Sequence, residues 1–367
     1  MMRVLVTDGE MNKALAVVRA ISDDTTWTGV TSRFPLSPAG VSRHTDAQHW
    51  LRDATPDGVV DGLNRLAGDY DALLPVGGGT FEIVSEHRDR LDFPVERLLP
   101  PQDAMRVALD KHRTYAHAER EGIPVPNSAR VTDSDDLREV IERVGFPAVL
   151  KTGSETEARF VRIAENADEL RDAYRAYTAD HDVDPVVQAY LPGATRGYFG
   201  LFDDGDLLGG YAHRRVREYP PEGGASACAE STQDDELRAY AEGLLGPLDW
   251  TGVAMIEFKE DAAGTPSVVE INPKIWGSLD LAIASGMNFP AALLDLAAGR
   301  EPRDFTFAPR RVHWPLSGDL THAWRRPSSA PAVLRDCYSK HTRSNVRLGD
   351  PIPHAVEAGI TLVRQDL

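Results

Sequence analysis

Apolar positions in the first third of the chain fall into short runs set between amphipathic stretches. RVLVT (3–7) reads as a strand, MNKALAVVRAI (11–21) as a helix, TWTGV (26–30) as a second strand and DALLPV (71–76) as a third. Strands alternating with helices predict a small α/β domain with parallel strands over residues 1–104, with Leu99, Pro100 and Pro101 marking its end. Gly77, Gly78 and Gly79 follow the last of these strands without the G-x-G-x-x-G spacing or the later acidic residue of a dinucleotide loop. They read as a tight strand-to-loop turn. Residues 105–184 carry helical patterns near 111–121, 134–143 and 167–179, around a short buried strand in GFPAVLKT (145–152). From 185 to 300 strand patterns predict a mostly antiparallel unit, with DDGD (203–206) as a hairpin turn too short for an EF-hand loop. Residues 301–367 are Pro-rich and predict a small helical tail; His313, His322 and His341 there show no metal-ligand spacing.

The segment GVAMIEFKEDAAGTPSVVEINPK (252–274) holds the most chemistry. Two apolar period-two runs flank a polar stretch containing Gly and Pro, which reads as a β-hairpin. Symmetry about Ala263 and Gly264 sets Glu257 opposite Glu270, and like charges directly opposite call for a cation between them. Asn272 shares a face with Glu270, because alternate strand residues do. Two carboxylates and an amide oxygen make a hard, all-oxygen site suited to Mg²⁺. The alternative is an exposed hairpin whose Glu residues are solvated or paired with Lys259.

Lysine usage points the same way. The chain has six lysines against 34 arginines, and Lys111, Lys151 and Lys274 stand where phosphate oxygens would need a compact point charge; chance placement of three among six is the alternative. Lys111 lies in DKHRTYAHAEREGIPVP (110–126), where Asp110 is an expected N-cap, Gly122 a helix stop, and Pro124 and Pro126 enforce extended chain. Lys151 ends the strand of GFPAVLKT, and a further apolar run, PVVQAYLPG (185–193), follows.

In order and spacing these four segments resemble the ATP-grasp superfamily over roughly residues 105–300. HRRVREYPPEGG (213–224), NPKIWGS (272–278) and GMNFP (286–290) further resemble ATP-dependent carboligases similar to carbamoyl-phosphate synthetase. The resemblance implies a Rossmann-like N-terminal domain (1–104) lining the acceptor site, two grasp lobes (105–184 and 185–300) and a C-terminal extension (301–367). It implies ATP between the lobes, with Lys111 and Lys151 on its phosphates and backbone groups of Ala189, Tyr190 and Leu191 reading the adenine edge. Gln188 stands in place of the commoner Glu. Mg²⁺, or alternatively Mn²⁺, would lie on Glu257, Glu270 and Asn272. The activity implied is activation of a carboxylate as an acyl phosphate for attack by an amine or similar nucleophile. Lys274 and Arg215 would offset the oxyanion, and Gly223 and Gly224 would form a lid; an ordinary charged strand and a plain flexible loop are the structural alternatives.

Two departures mark this chain. Lys274 replaces the family's usual Arg after Asn-Pro, and TGSETEARFVRI (152–163) has a single glycine where relatives carry a Gly-rich phosphate-covering loop. Arg159 and Arg162 are the substitutes on offer there, and a solvated strand face accounts for either. A phosphotransferase on the same fold and a nucleotide-binding sensor with little turnover remain as rival readings.

At 367 residues more than one core is expected, and 40 basic against 57 acidic residues give −17, which argues against nucleic acid or an anionic membrane as partner. Two cysteines, Cys228 and Cys337, without motif spacing point to a reducing compartment. With no signal-like or 18-residue apolar run, the expected setting is cytoplasmic. A homo-oligomer or an amine-delivering partner protein is compatible with all of this.

Overall fold

The structure is a computed structural model that describes residues 1–133, 136–153, 160–221 and 224–365, with side chains through 359. The N-terminal apolar runs pair into a parallel sheet of β1 (Met2–Val6), β2 (Thr26–Ser32), β3 (Ala47–Trp50) and β4 (Ala72–Leu74), in the order β3-β2-β1-β4. Val4, Leu5 and Val6 of β1 are wholly buried, as a continuous apolar run covered on both faces should be. Three helices complete this part: α1 (Asn12–Ile21), α2 (Pro56–Ala67) and α3 (Gly78–Glu86). Thr55 caps α2 by accepting from the Gly58 N–H, and Pro56 presets its first turn. The three-glycine run is not a loop, as expected from sequence, but the start of a helix. Gly77 is the N-cap of α3 and Gly78 its first residue.

Two helices lead onward, α4 (Gln102–Leu109) and α5 (Lys111–Arg120), broken at Asp110, whose carboxylate accepts from the N–H groups of His112 and Arg113. A small antiparallel sheet follows, made of β5 (Ser128–Arg130), β6 (Ala148–Lys151), β7 (Val161–Ala164) and β8 (Val186–Ala189), in the order β5-β8-β6-β7. It packs α6 (Leu137–Val144) and α7 (Ala167–Thr178) around its own core of Val131, Leu150, Leu170, Tyr177 and Val187.

The large sheet is built on β9 (Thr195–Asp203), β10 (Asp206–Tyr219), β11 (Ala225–Thr232), β12 (Gly252–Glu260) and β13 (Pro266–Asn272). Helix α8 (Asp235–Leu245) intervenes, and α9 (Leu279–Ala284) and α10 (Phe289–Ala297) follow. The tail is more than the expected helices α11 (Leu320–Arg325), α12 (Ala330–Tyr338) and α13 (Ile352–Gln365). It adds β14 (Arg311–His313) and β15 (Thr342–Ser344) to the sheet, giving the order β13-β12-β9-β10-β11-β14-β15. All neighbours are antiparallel except β14 and β15.

Alternate residues of β9 divide the core. Phe199 and Leu201 pack with Leu5, Leu73, Trp276 and Phe289 in a core continuous with the N-terminal sheet, while Tyr198 and Phe202 face Ala108, Trp250 and Leu244 beneath α4 and α8. The tail is tied down by Arg217, which donates from Nε to Asp319 Oδ1 at 2.7 Å and from Nη1 to Asp336 Oδ2 at 2.6 Å, all three side chains being buried. Among the described residues no helix is long and apolar enough to cross a membrane.

Candidate active site

Tyr115 stands one helical turn after Lys111 on α5, buried where the small sheet meets the large one. Its hydroxyl accepts from Lys151 Nζ at 2.8 Å. Its single proton is shared between Gln188 Oε1 at 2.9 Å and the Val269 carbonyl at 3.2 Å. Burial, reinforced by the charges of Glu270 and Glu257, pushes this phenol far above its ordinary range, so it remains a neutral donor. One side chain thus joins β6, β8 and β13. Lys111 and Lys151 are both buried, and the Lys111 N–H donates to the Gly153 carbonyl at 3.0 Å, holding the start of α5 to the chain leaving β6.

Glu257 and Glu270 are register partners on β12 and β13, as the hairpin pattern predicts, although the route to that pairing differs. The turn is offset, with Glu260 opposite Pro266 and Lys259 opposite Ser267, which alone would misalign the two acids. A bulge restores them: Phe258 pairs with Val268 and Glu257 with Glu270, so Val269 is the extra residue, and its carbonyl is the one turned to Tyr115. Arg215 Nη2 donates to Glu257 Oε2 at 2.8 Å and Nη1 reaches Glu218 Oε1 at 3.5 Å. Among the described residues the part-buried carboxylate of Glu270 has no hydrogen-bond or ion-pair partner. Asn272 Oδ1 accepts from the Lys274 N–H at 3.1 Å, which holds its amide in place. This donor set, two facing carboxylates and a positioned amide oxygen, fits a hard divalent cation. Among the described residues no three His, Cys, Asp or Glu gather in a metal-binding cluster.

Lys274 extends the site toward the N-terminal sheet, with its ammonium 3.5 Å from Glu82 Oε1 on α3 and its side chain lying over Gly78. Lys13 of α1 approaches from the other side and donates to the Ile275 carbonyl at 2.8 Å. Burial, then the charge of Lys274, lowers Lys13 to about 8, while burial raises Glu82 against the pull of Lys274.

Of the three backbone N–H groups at 189–191, two are engaged within the protein. The Ala189 N–H donates to the Asn127 carbonyl at 2.8 Å and the Tyr190 N–H to the Pro147 carbonyl at 3.0 Å, whereas among the described residues the Leu191 N–H has no acceptor. Arg162 lies exposed on β7 with its guanidinium 5.0 Å from the Phe160 ring, as a solvated strand face would have it. Arg159 and Gly223 lie outside the described residues; Gly224 packs so closely on Tyr219 that an added Cβ would fall 2.3 Å from its carbonyl oxygen. Tyr115, Lys13 and Glu82 were not singled out from sequence. The spacing of Tyr115 from Lys111 and the rarity of lysine were the available signals for the first two, and nothing in the sequence marks Glu82.

Two family descriptions match this frame: a RimK-like ATP-grasp domain over residues 108–208, and an ATP-grasp in the biosynthetic pathway with Ter operon over residues 183–314. Residues 108–314 therefore belong to the ATP-grasp superfamily. The carbamoyl phosphate synthase large chain of Methanosarcina barkeri is 24% identical over 290 residues, covering 76% of this chain and 26% of that protein. The chain thus spans about a quarter of the length of the synthase chains it matches. Among solved structures, Campylobacter jejuni biotin carboxylase in complex with β-γ-ATP aligns with a TM-score of 0.70 at 16% identity, over 85% of this chain and 75% of that one. The biotin carboxylase domain of Hydrogenobacter thermophilus 2-oxoglutarate carboxylase, solved with MgADP and bicarbonate, aligns with a TM-score of 0.67 at 18% identity, over 84% and 73%. At these identities the structural likeness is one of fold.

Proposed function

We propose that this chain is an ATP- and Mg²⁺-dependent ligase that activates a carboxylate as an acyl phosphate for capture by an amine or similar nucleophile, releasing ADP and phosphate. The observation that supports it most is the convergence of Lys151 and Gln188 on Tyr115, directly beside the facing pair Glu257 and Glu270. The nucleotide would lie between the small and large sheets, with the Leu191 N–H meeting the adenine edge and Lys111 and Lys151 meeting the phosphates. Glu257, Glu270 and Asn272 would hold Mg²⁺, which when bound offsets charge on the phosphate oxygens. Arg215, already on Glu257, and Lys274, beyond Asn272, would face the carboxylate that is activated. As its oxygen bonds to the γ-phosphorus, ADP leaves; as the nucleophile adds to the acyl carbon, the two cations would offset the oxyanion before phosphate departs. The N-terminal sheet, Rossmann-like in order, would line the acceptor side, with 1–104, 105–184, 185–300 and 301–367 as the working units.

A Glu270 carboxylate without a partner among the described residues favours turnover over nucleotide sensing, because a sensor has no need of a metal ligand held ready. The test is release of nucleotide product and phosphate with Mg-ATP across amino acids, dicarboxylates and amines, with Glu270→Gln as the blank. Equal, substrate-stimulated ADP and phosphate, absent in Glu270→Gln at unchanged circular dichroism, is the expected outcome. ADP with a phosphorylated product would instead make the chain a phosphotransferase, and full activity in Glu270→Gln would remove the metal assignment.

A further inference from the structure

The order β3-β2-β1-β4 changes direction between β1 and β4, so the chain leaving these two strands parts to opposite sides, the arrangement that in open α/β sheets makes a crevice at the strands' carboxyl ends. The residues around that crevice come from three segments distant in sequence: Asp8 and Lys13 after β1, Gly77 to Thr80 and Glu82 after β4, and Lys274 after β13. Asp8 is committed to the protein, accepting from the Gly77 N–H at 2.7 Å and from Thr80 Oγ1 at 2.6 Å. Glu82 is engaged by Lys274. Lys13 is not matched in this way. Its direct hydrogen bond is to a neutral backbone carbonyl, and among the described residues no carboxylate lies within ion-pair distance of it. A part-buried ammonium beside a second ammonium, drawn only by the Asp8 charge from beyond ion-pair distance, is costly unless something anionic completes it.

We infer that this crevice binds a second oxyanion of the substrate, remote from the reacting group, with Lys13 as its counter-charge and Lys274 between it and the phosphoryl centre. The small molecule taken at this end is then at least dianionic, bearing a carboxylate or a phosphate monoester away from the bond being made. The helices α1 and α3 both begin at the crevice with no acidic residue in their first turns, so their N-terminal dipoles add to the same field. Gly78 permits the close approach, because Lys274 already lies over it and a Cβ there would sit 3.3 Å from Nζ. The inference rests on the ligase reading of the adjoining site for what the substrate does next, though not for its charge.

Thermal unfolding of the full chain at matched ionic strength tests binding without turnover, with succinate and inorganic phosphate as separate probes. The expected result is stabilisation of the wild type by at least one probe, and an affinity about tenfold or more weaker in Lys13→Met, the factor lost with one charge-assisted hydrogen bond. Lys13→Arg, which keeps the charge, should retain most of the response and guards against a folding defect in Lys13→Met. A wild type indifferent to both probes, or equal responses in wild type and Lys13→Met, overturns the inference. Response to succinate alone assigns a carboxylate, and response to phosphate alone a phosphate monoester. Binding of an unhydrolysable Mg-ATP analogue is read in parallel: its failure in the wild type sinks the ligase reading and leaves the anion result standing on its own.

Discussion

His213 shows how one residue beside the site sets a condition on the whole protein. Its ring is buried, 4.4 Å from that of Phe199, and burial followed by the charge of Arg215 lowers it to about 3 from an ordinary 6.5. The folded state therefore keeps a neutral imidazole in a range where the unfolded chain takes up a proton. Stability is full above about pH 6.5 and falls as the pH drops toward 3, by at most about 1.4 kcal/mol per pH unit from this group. Denaturation midpoints at pH 7, 5 and 4 should fall in the wild type and fall less in His213→Phe, which keeps the aromatic contact; parallel curves would exclude His213 as the cause. At this scale the sequence was legible where composition was biased. Scarce lysine singled out Lys111, Lys151 and Lys274; the structure ties the first two to the small sheet and its junction and sets the third against α3 of the N-terminal part. Tyr115 and Lys13 escaped notice because a tyrosine or lysine on an amphipathic helix looks ordinary until the fold shows what its polar end meets.

At the scale of elements, the hairpin and the three-glycine run carry opposite lessons. The facing acids were legible because alternation is a strong periodic signal, yet the register that aligns them depends on an offset turn and a bulge at Val269, which no local pattern specifies. The glycines read as a turn because they follow a strand without the spacing of a dinucleotide loop, a pattern that carries no signal for the helix they begin. In the structure tertiary packing decides: Gly77 caps α3 beneath Asp8, and the side chain of Lys274 needs the space over Gly78. The two following glycines therefore differ in kind. A Cβ at Gly79 meets only Arg33 Nη2 at 3.7 Å, so Gly79→Ala should raise the melting temperature, by up to about 1 kcal/mol of stability. A Cβ at Gly78 crowds the Lys274 ammonium, so Gly78→Ala should depress substrate-stimulated phosphate release. Equal activity loss from both substitutions would mean that the helix start, and not the lysine, is what matters there.

Across the whole molecule the cores are unevenly joined. The N-terminal sheet and one face of the large sheet share a single apolar interior that runs from Leu5 and Leu73 through Phe199 to Trp276 and Phe289. The far edge is locked by the buried pairing of Arg217 with Asp319 and Asp336. Among the described residues the small sheet packs on a separate cluster that includes Val131, Leu150, Leu170 and Tyr177, and Tyr115 is a polar junction between it and the rest. A compact unit with so small a core opens at lower free energy than the body it adjoins. Amide hydrogen exchange should therefore be faster in β6, β7 and α7 than in β1, β9 and β12. An unhydrolysable Mg-ATP analogue should slow exchange most in β6 and β8, because the ligand would bridge Lys151 and Leu191 to the large sheet and bind only the ordered arrangement. Uniform protection without nucleotide would mean that the Tyr115 junction welds the two sheets into one cooperative unit. Slowing confined to β12 and β13 would mean that the nucleotide engages the acidic hairpin without drawing the small sheet onto it.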